Sequence, residues 1–202
     1  TVDNASSNDT TVAHLKKRIS KRNGFVLDGE FFHVRCSAHI LSLIVRDGME
    51  EVKDSISRIR GAVRYIRSSP QRLQEFNICC EQERIASNCT LCLDVPTRWN
   101  YTYLMLENAL KFQKAFERLD DQELNFASNL NDGVPNERDW ENAKVLTKFL
   151  KKFYDVTKRM SGSLYVTADS YFHEVCVIER ILNDWSKNSD ACLSVMAMKM
   201  KE

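Results

Sequence analysis

Apolar residues recur at helical spacing over most of this chain. Val52, Ile56, Ile59, Val63 and Ile66 fall three or four positions apart and predict an amphipathic helix over Glu51 to Arg67, which Ser68-Ser-Pro70 ends. Ile40, Leu41, Ile44 and Val45 make one face of a helix running from about Cys36 to Asp47. Further helices are predicted over Gln71 to Arg84, Asn100 to Leu119, Trp140 to Met160 and Ala168 to Lys187, and the pattern is helical again from Met196 to Glu202. Ile85 to Pro96 and Asp132 to Pro135 read as loops, and Tyr165 to Ser170 as a linker with a capping Thr or Asp.

Near the start the pattern differs. Thr1 to Asp3 reads as the end of a strand, Asn4-Ala-Ser-Ser-Asn-Asp9 as a turn that caps a helix over Thr10 to Arg22, and Asn23-Gly24 as its stop. Phe31 to Arg35, aromatic and β-branched after Asp28-Gly29, reads as a second strand. The expected fold is therefore an α/β fragment, strand, helix, strand, helix, followed by an all-α region. With no initiator Met and no N-terminal cap, and with an end inside a helical pattern, the chain reads as an internal fragment of something longer.

Composition narrows the classes. A chain of 202 residues with 43% hydrophobic content can bury a real core. Lys and Arg total 29 against 28 for Asp and Glu, a net charge of +1, so any nucleic-acid site is a local patch and not a basic surface. Such patches have two sources: Lys16, Lys17, Arg18, Lys21 and Arg22, and then Arg58, Arg60, Arg64, Arg67 and Arg72. Each is a solvated helix face or, if turned to one side, a phosphate track. Seven cysteines are an odd number for a disulfide framework and read as reduced thiols. Apolar stretches are broken by charge within a few residues, so neither a signal peptide nor a membrane span is expected, and the chain reads as soluble and intracellular. Only 6 glycines and no phosphate loop, Ser-His-Asp order or His-Glu-x-x-His motif leave little for a small-molecule enzyme or a bound small-molecule cofactor.

Three segments carry candidate chemistry. In Leu91-Cys-Leu-Asp-Val-Pro-Thr-Arg-Trp-Asn100, Arg98 joins a phosphate-binding fork to the flat ring of Trp99, which can stack on a base or pack under the following helix. Cys36-Ser-Ala-His39 places His39 one turn from Cys36 at a helix start, where N–H groups favour a phosphate; a buried thiol and a satisfied histidine are the alternative. Asp3 stands at a strand end beside a polar turn, a place for a metal-binding carboxylate or, with Asn4, for an Asx turn. Cys89-Thr-Leu-Cys92 and Cys79-Cys80 lack a second pair at zinc spacing.

Taken in order, these segments resemble the hAT-superfamily transposases, above all the plant RICESLEEPER-like, zinc-finger-BED branch. The resemblance implies a partial RNase-H-like core over 1–70 and a helical insertion over 71–202 that runs into the RNase-H-fold region. It implies DNA as partner, a nuclear location, self-association in the full-length protein, and Asp3 as one of three acids that hold Mg²⁺ or Mn²⁺ for strand cleavage and transfer. His39 would join Asp3 as a catalytic residue facing the scissile or flanking phosphate, Cys36 would be DNA-binding, Arg98 would hold the backbone, and Trp99 would stack on an extruded base. The other two acids of the family fall outside these residues, so the fragment is catalytically incomplete alone. A dimerisation module of a transposase-derived regulatory protein is the second reading, through the stripe Val145, Leu146, Phe149, Leu150 and Phe153.

Overall fold

A computed structural model describes residues 5–22, 24–30, 32–33, 36–86, 89–161 and 168–201. Among these residues every regular element is helical: α1 (Ser6–Ser20), α2 (Ser37–Met49), α3 (Lys53–Arg67), α4 (Pro70–Gln82), α5 (Trp99–Lys111), α6 (Gln113–Gln122), α7 (Glu137–Met160), α8 (Ala168–Trp185) and α9 (Ala191–Lys199). Short 3₁₀ turns lie at Leu27–Gly29, Glu50–Val52 and Ala127–Asn129.

The α/β expectation is thereby corrected. Phe32 and His33, the described part of the expected strand, are not extended in a sheet, and no described residue offers a partner strand. A lone strand leaves its ladder N–H and C=O groups unpaired, so an aromatic, β-branched run without a neighbour gains nothing by extending. Phe32 instead meets Phe25 edge to face at 5.1 Å, across the left-handed turn at Leu27 and Asp28. The expected strand end at Thr1 to Asp3 lies outside the described residues.

α7 is the hub, touching α2, α3, α5, α8 and α9. It starts three residues before its expected Trp140 because Asn136 and Asp139 form a reciprocal capping box that satisfies two backbone donors. Its 24 residues span about 36 Å at 1.5 Å per residue, long enough to floor the molecule. Trp140, Ala143, Leu146, Phe149, Leu150 and Phe153 are all buried along it. The stripe that offered a dimer surface is therefore core, Val145 alone being half-buried. Ring contacts tie the other helices to α7: Phe76 of α4 to Phe116 at 4.9 Å, Phe116 to Trp140 at 5.3 Å, and Tyr103 of α5 to Tyr154 at 4.9 Å.

Where one helix was expected over Asn100 to Leu119, two are found. The chain leaves α-geometry at Phe112 (φ −110°, ψ 11°), whose ring is buried at 5.9 Å from Phe76, so that α6 can turn and pack along α4. α1 buries none of its residues, and its basic side chains are a solvated face in this structure.

Gly48 sits where α2 meets α9. A Cβ there would lie 2.5 Å from Met200 Sδ and 2.8 Å from its Cγ, inside van der Waals contact. Gly48→Ala is expected to cost about 1–3 kcal/mol through overpacking. The check is thermal melting: Tm falls in Gly48→Ala, and adding Met200→Ala makes the two changes non-additive.

Candidate nucleic-acid interface

The segment 89–98 crosses the surface as irregular chain and ends where α5 begins. Asp94 fixes it from inside. Its carboxylate accepts from Arg60 Nε at 2.8 Å and from Thr102 Oγ1 at 3.0 Å, both on Oδ2, while Arg64 Nη2 lies 3.6 Å from Oδ1. Arg98 N donates to Val95 O at 2.8 Å, closing a turn over Pro96 and Thr97, and Arg98 is the residue before the helix. Its side chain is exposed.

Trp99, one residue on, faces the other way. It is 4% exposed and shares a cavity of about 150 Å³ with Arg46, Met49, Lys53, Ile56 and Arg60. In this structure its ring fills the angle between α2, α3 and α5, and it would have to leave the core to take a stacked base. The alternative in which the tryptophan packs under the following helix is the arrangement seen.

Cys36 is the residue before α2 and His39 lies in its first turn; both are half-buried. The Trp99 cavity borders Arg46 and Met49, at the far end of α2. His39 and Arg46 are seven residues apart, about 10 Å along the axis, so the two motifs sit toward opposite ends of one helix. Asp3 lies outside the described residues, so its position relative to either is not described.

The second basic run divides. Arg58 clamps Asp139 with two bonds, Nε to Oδ2 at 2.7 Å and Nη2 to Oδ1 at 2.8 Å, and Arg60 is held by Asp94. These are internal struts. Arg64, with its side chain 53% exposed, and Arg72 face a cleft, and Arg67 is exposed. Arg72 lies 3.8 Å over the Tyr65 ring and donates to Ser68 Oγ at 2.9 Å. Burial, reinforced by the Tyr65 hydroxyl's bond to Glu123, pushes the Tyr65 phenol up to about 12. Asp94 and Glu123 escaped the reading of the chain because their partners lie 34 and 58 residues away and no local pattern announces them.

Cys89 and Cys92 accept from Lys111 Nζ at 3.4 Å and Asn108 Nδ2 at 3.3 Å, on one face of α5. Burial pushes the Cys79 thiol up, and Cys80 up to about 11, which makes both poor nucleophiles and poor metal ligands. Among the described residues no three His, Cys, Asp or Glu side chains gather as a metal site, and no helix is long and apolar enough to cross a membrane.

Comparison with known proteins adds to this geometry. The family model of the ZBED1 RNase-like helical domain matches residues 34–149. A Zea mays protein named "Putative AC transposase" is 34% identical over 202 residues, 100% of this chain and 25% of that protein. Zinc finger BED domain-containing protein RICESLEEPER 2 of Oryza sativa subsp. japonica is 34% identical over 203 residues, 100% of this chain and 27% of its own length. DAYSLEEPER of Arabidopsis thaliana, another zinc finger BED domain-containing protein, is 26% identical over 199 residues, 98% of this chain and 28% of its own. The chain thus spans about a quarter of the length of the curated relatives it matches. No solved structure matches it.

Proposed function

The chain belongs to the ZBED1 RNase-like helical domain family, among the hAT transposases and the zinc finger BED proteins related to them, and from that membership we propose that it contacts DNA through Arg98. The carrying observation is the pairing of an exposed Arg98 with a buried, ion-paired anchor at Asp94, a rigid mount that costs little ordering entropy when a phosphate binds. The guanidinium fork suits a backbone phosphate, which positions a strand without reading its sequence. Trp99 then acts by holding the turn that aims Arg98. His39 and Cys36 form a second contact near the N-terminus of α2, where backbone donors and the helix dipole favour phosphate.

In the full-length protein the role extends to a nuclear, DNA-bound oligomer. Mg²⁺ or Mn²⁺ chemistry, if that protein retains it, would rest on Asp3 together with the two further acids that the family likeness implies. The dimerisation reading loses the stripe Leu146, Phe149, Leu150 and Phe153 to the core.

The test is binding of the full-length protein to a hairpin and to a nicked duplex at several salt concentrations. Arg98→Ala is expected to weaken binding and to lower the salt slope by about one phosphate contact. An unchanged slope and affinity, with folding intact, would remove Arg98 from the interface.

A further inference from the structure

Charge is unevenly spread along this chain, and α7 carries the imbalance. Between Lys144 and Arg159 stand six cations and one anion, Asp155, so this stretch holds a net +5 in a chain of net +1. A solvated helix face ordinarily interleaves its signs, since opposite charges three or four residues apart attract. Here Lys144, Lys148 and Lys152 follow one another at the spacing where like charges repel. The arrangement costs helix stability and calls for a counter-charge from outside the helix.

Little of that charge is neutralised from within. Lys144 pairs with Glu141 at 2.7 Å at one end of the run, and at the other Arg159 holds Glu174 of α8 with bonds of 2.5 and 2.7 Å. Asp155 is half-buried. Asp190 shares a cavity of about 190 Å³ with Lys148, but its Oδ1 is engaged in capping α9 at 3.1 Å. Lys148, Lys151, Lys152 and Lys158 are exposed and make neither hydrogen bond nor ion pair among the described residues.

Helix geometry makes these lysines a row. At about 100° per residue, Lys144 and the other four fall within an arc of about 120°. That arc lies between α5, whose Tyr103 meets Tyr154, and α8, whose Trp185 meets Phe149 at 4.4 Å. From Lys144 to Lys158 the row is about 21 Å long, the length of about six phosphates on one strand of a duplex. Its mount is rigid, because Leu146, Phe149, Leu150 and Phe153 bury the opposite side of the helix. Tyr103 meets Tyr154 and Phe116 meets Trp140, so α5 and α6 run back along α7, and the start of α5 at Arg98 lies toward the Lys158 end.

We propose that the lysine row of α7 is a track for the backbone of duplex DNA, carrying the contact at Arg98 onto the flanking double helix. It rests on the DNA reading above but on different residues. A duplex suits the row better than a single strand does, because single-strand sites interleave cations with rings on which bases stack. None of the aromatic side chains of α7 is exposed, and Tyr154 at the edge of the arc is half-buried against Tyr103. Ammonium groups are point charges that meet phosphates without reading bases, so the track is independent of sequence.

Titration of the full-length protein with duplexes of two unrelated sequences at several salt concentrations tests it. Lys148→Gln, Lys151→Gln, Lys152→Gln and Lys158→Gln combined are expected to make the slope of log K on log salt shallower by about 2.7, with neighbouring Lys151 and Lys152 sharing one of three phosphate contacts at about 0.9 each. The loss is the same on both sequences, and arginine at the same four positions keeps the slope. Arg98→Ala lowers the slope by about one contact in either background, so the two surfaces are read separately: a row effect without an Arg98 effect removes Arg98 and keeps the track. A glutamine variant that is folded by circular dichroism and matches wild type in slope and affinity overturns the proposal. So does polyglutamate that binds as tightly as the duplex and loses as much in the variant, which would make the face a site for acidic protein.

Discussion

Asp139→Ala is expected to lose about 3–5 kcal/mol, a fifth or more of the roughly 5–15 kcal/mol of an ordinary domain. Asp139 is 1% exposed, and every part of its carboxylate is engaged. Arg58 donates twice, Ser55 Oγ donates at 2.8 Å, and the backbone N–H of Asn136 donates at 2.9 Å. Truncation therefore leaves Arg58 without its counter-charge and opens the capping box that starts α7, the helix on which five others rest. Burial opposes ionisation of Asp139, but the bonds from Arg58, Asn136 and Ser55 outweigh it and hold the carboxyl below its ordinary value. A depressed folded pKa means that its stabilisation is complete above the unfolded-state value near 3.9 and is lost as pH falls through the lower, folded value. Urea melts at neutral pH measure the main effect, and melts between pH 5 and pH 2 the rest: wild type loses stability over the acid range, and Asp139→Ala shows less of that loss. Replacing Arg58 and Asp139 together by leucine is expected to cost less than Asp139→Ala alone, because no charge is then stranded. A single-variant loss under about 1 kcal/mol would mean that the pair carries little.

What could be read along the chain, and what could not, follows from the range of each interaction. The helices α3 and α7 stand out because their buried faces repeat every three or four residues, as at Ile56, Ile59 and Val63, or Leu146, Phe149 and Phe153. Local chemistry marks the stop before Pro70 equally well. The break at Phe112 has no glycine or proline to announce it; it arises because Phe112 is needed against Phe76, thirty-six positions earlier. The supposed strand at Phe31 to Arg35 has strand-like residues, but a strand is defined by its neighbour, and composition cannot supply one. The same distinction separates the arginines. Arg58, Arg60, Arg64 and Arg72 look alike in sequence, yet Arg58 and Arg60 are tied to buried carboxylates while Arg64 and Arg72 keep to the side of a cleft that Arg60 also borders, because their partners come from segments that only folding brings near. The Arg98 and Trp99 motif was legible as a unit, but not which of its two side chains would face solvent.

That last point sets the second large effect. Trp99→Ala is expected to destabilise the chain by about 3–5 kcal/mol, because a large, nearly buried ring leaves a void that α2, α3 and α5 cannot close together. Arg98→Ala, one residue away but exposed, is expected to stay within about 0.5 kcal/mol of wild type. The contrast turns one motif into two separable functions, a mount and a contact. Trp99→Phe keeps most of the ring and should restore much of the stability, along with DNA binding if the aim of Arg98 is what the ring provides. Urea midpoints and DNA titrations of the same three variants decide the matter. The opposite pattern, Trp99→Ala folding as wild type while DNA affinity collapses, would place the ring outside the core in solution and on a base. With the ring 4% exposed, the expected order is the first: Trp99→Ala loses stability before it loses DNA, and Arg98→Ala loses DNA alone.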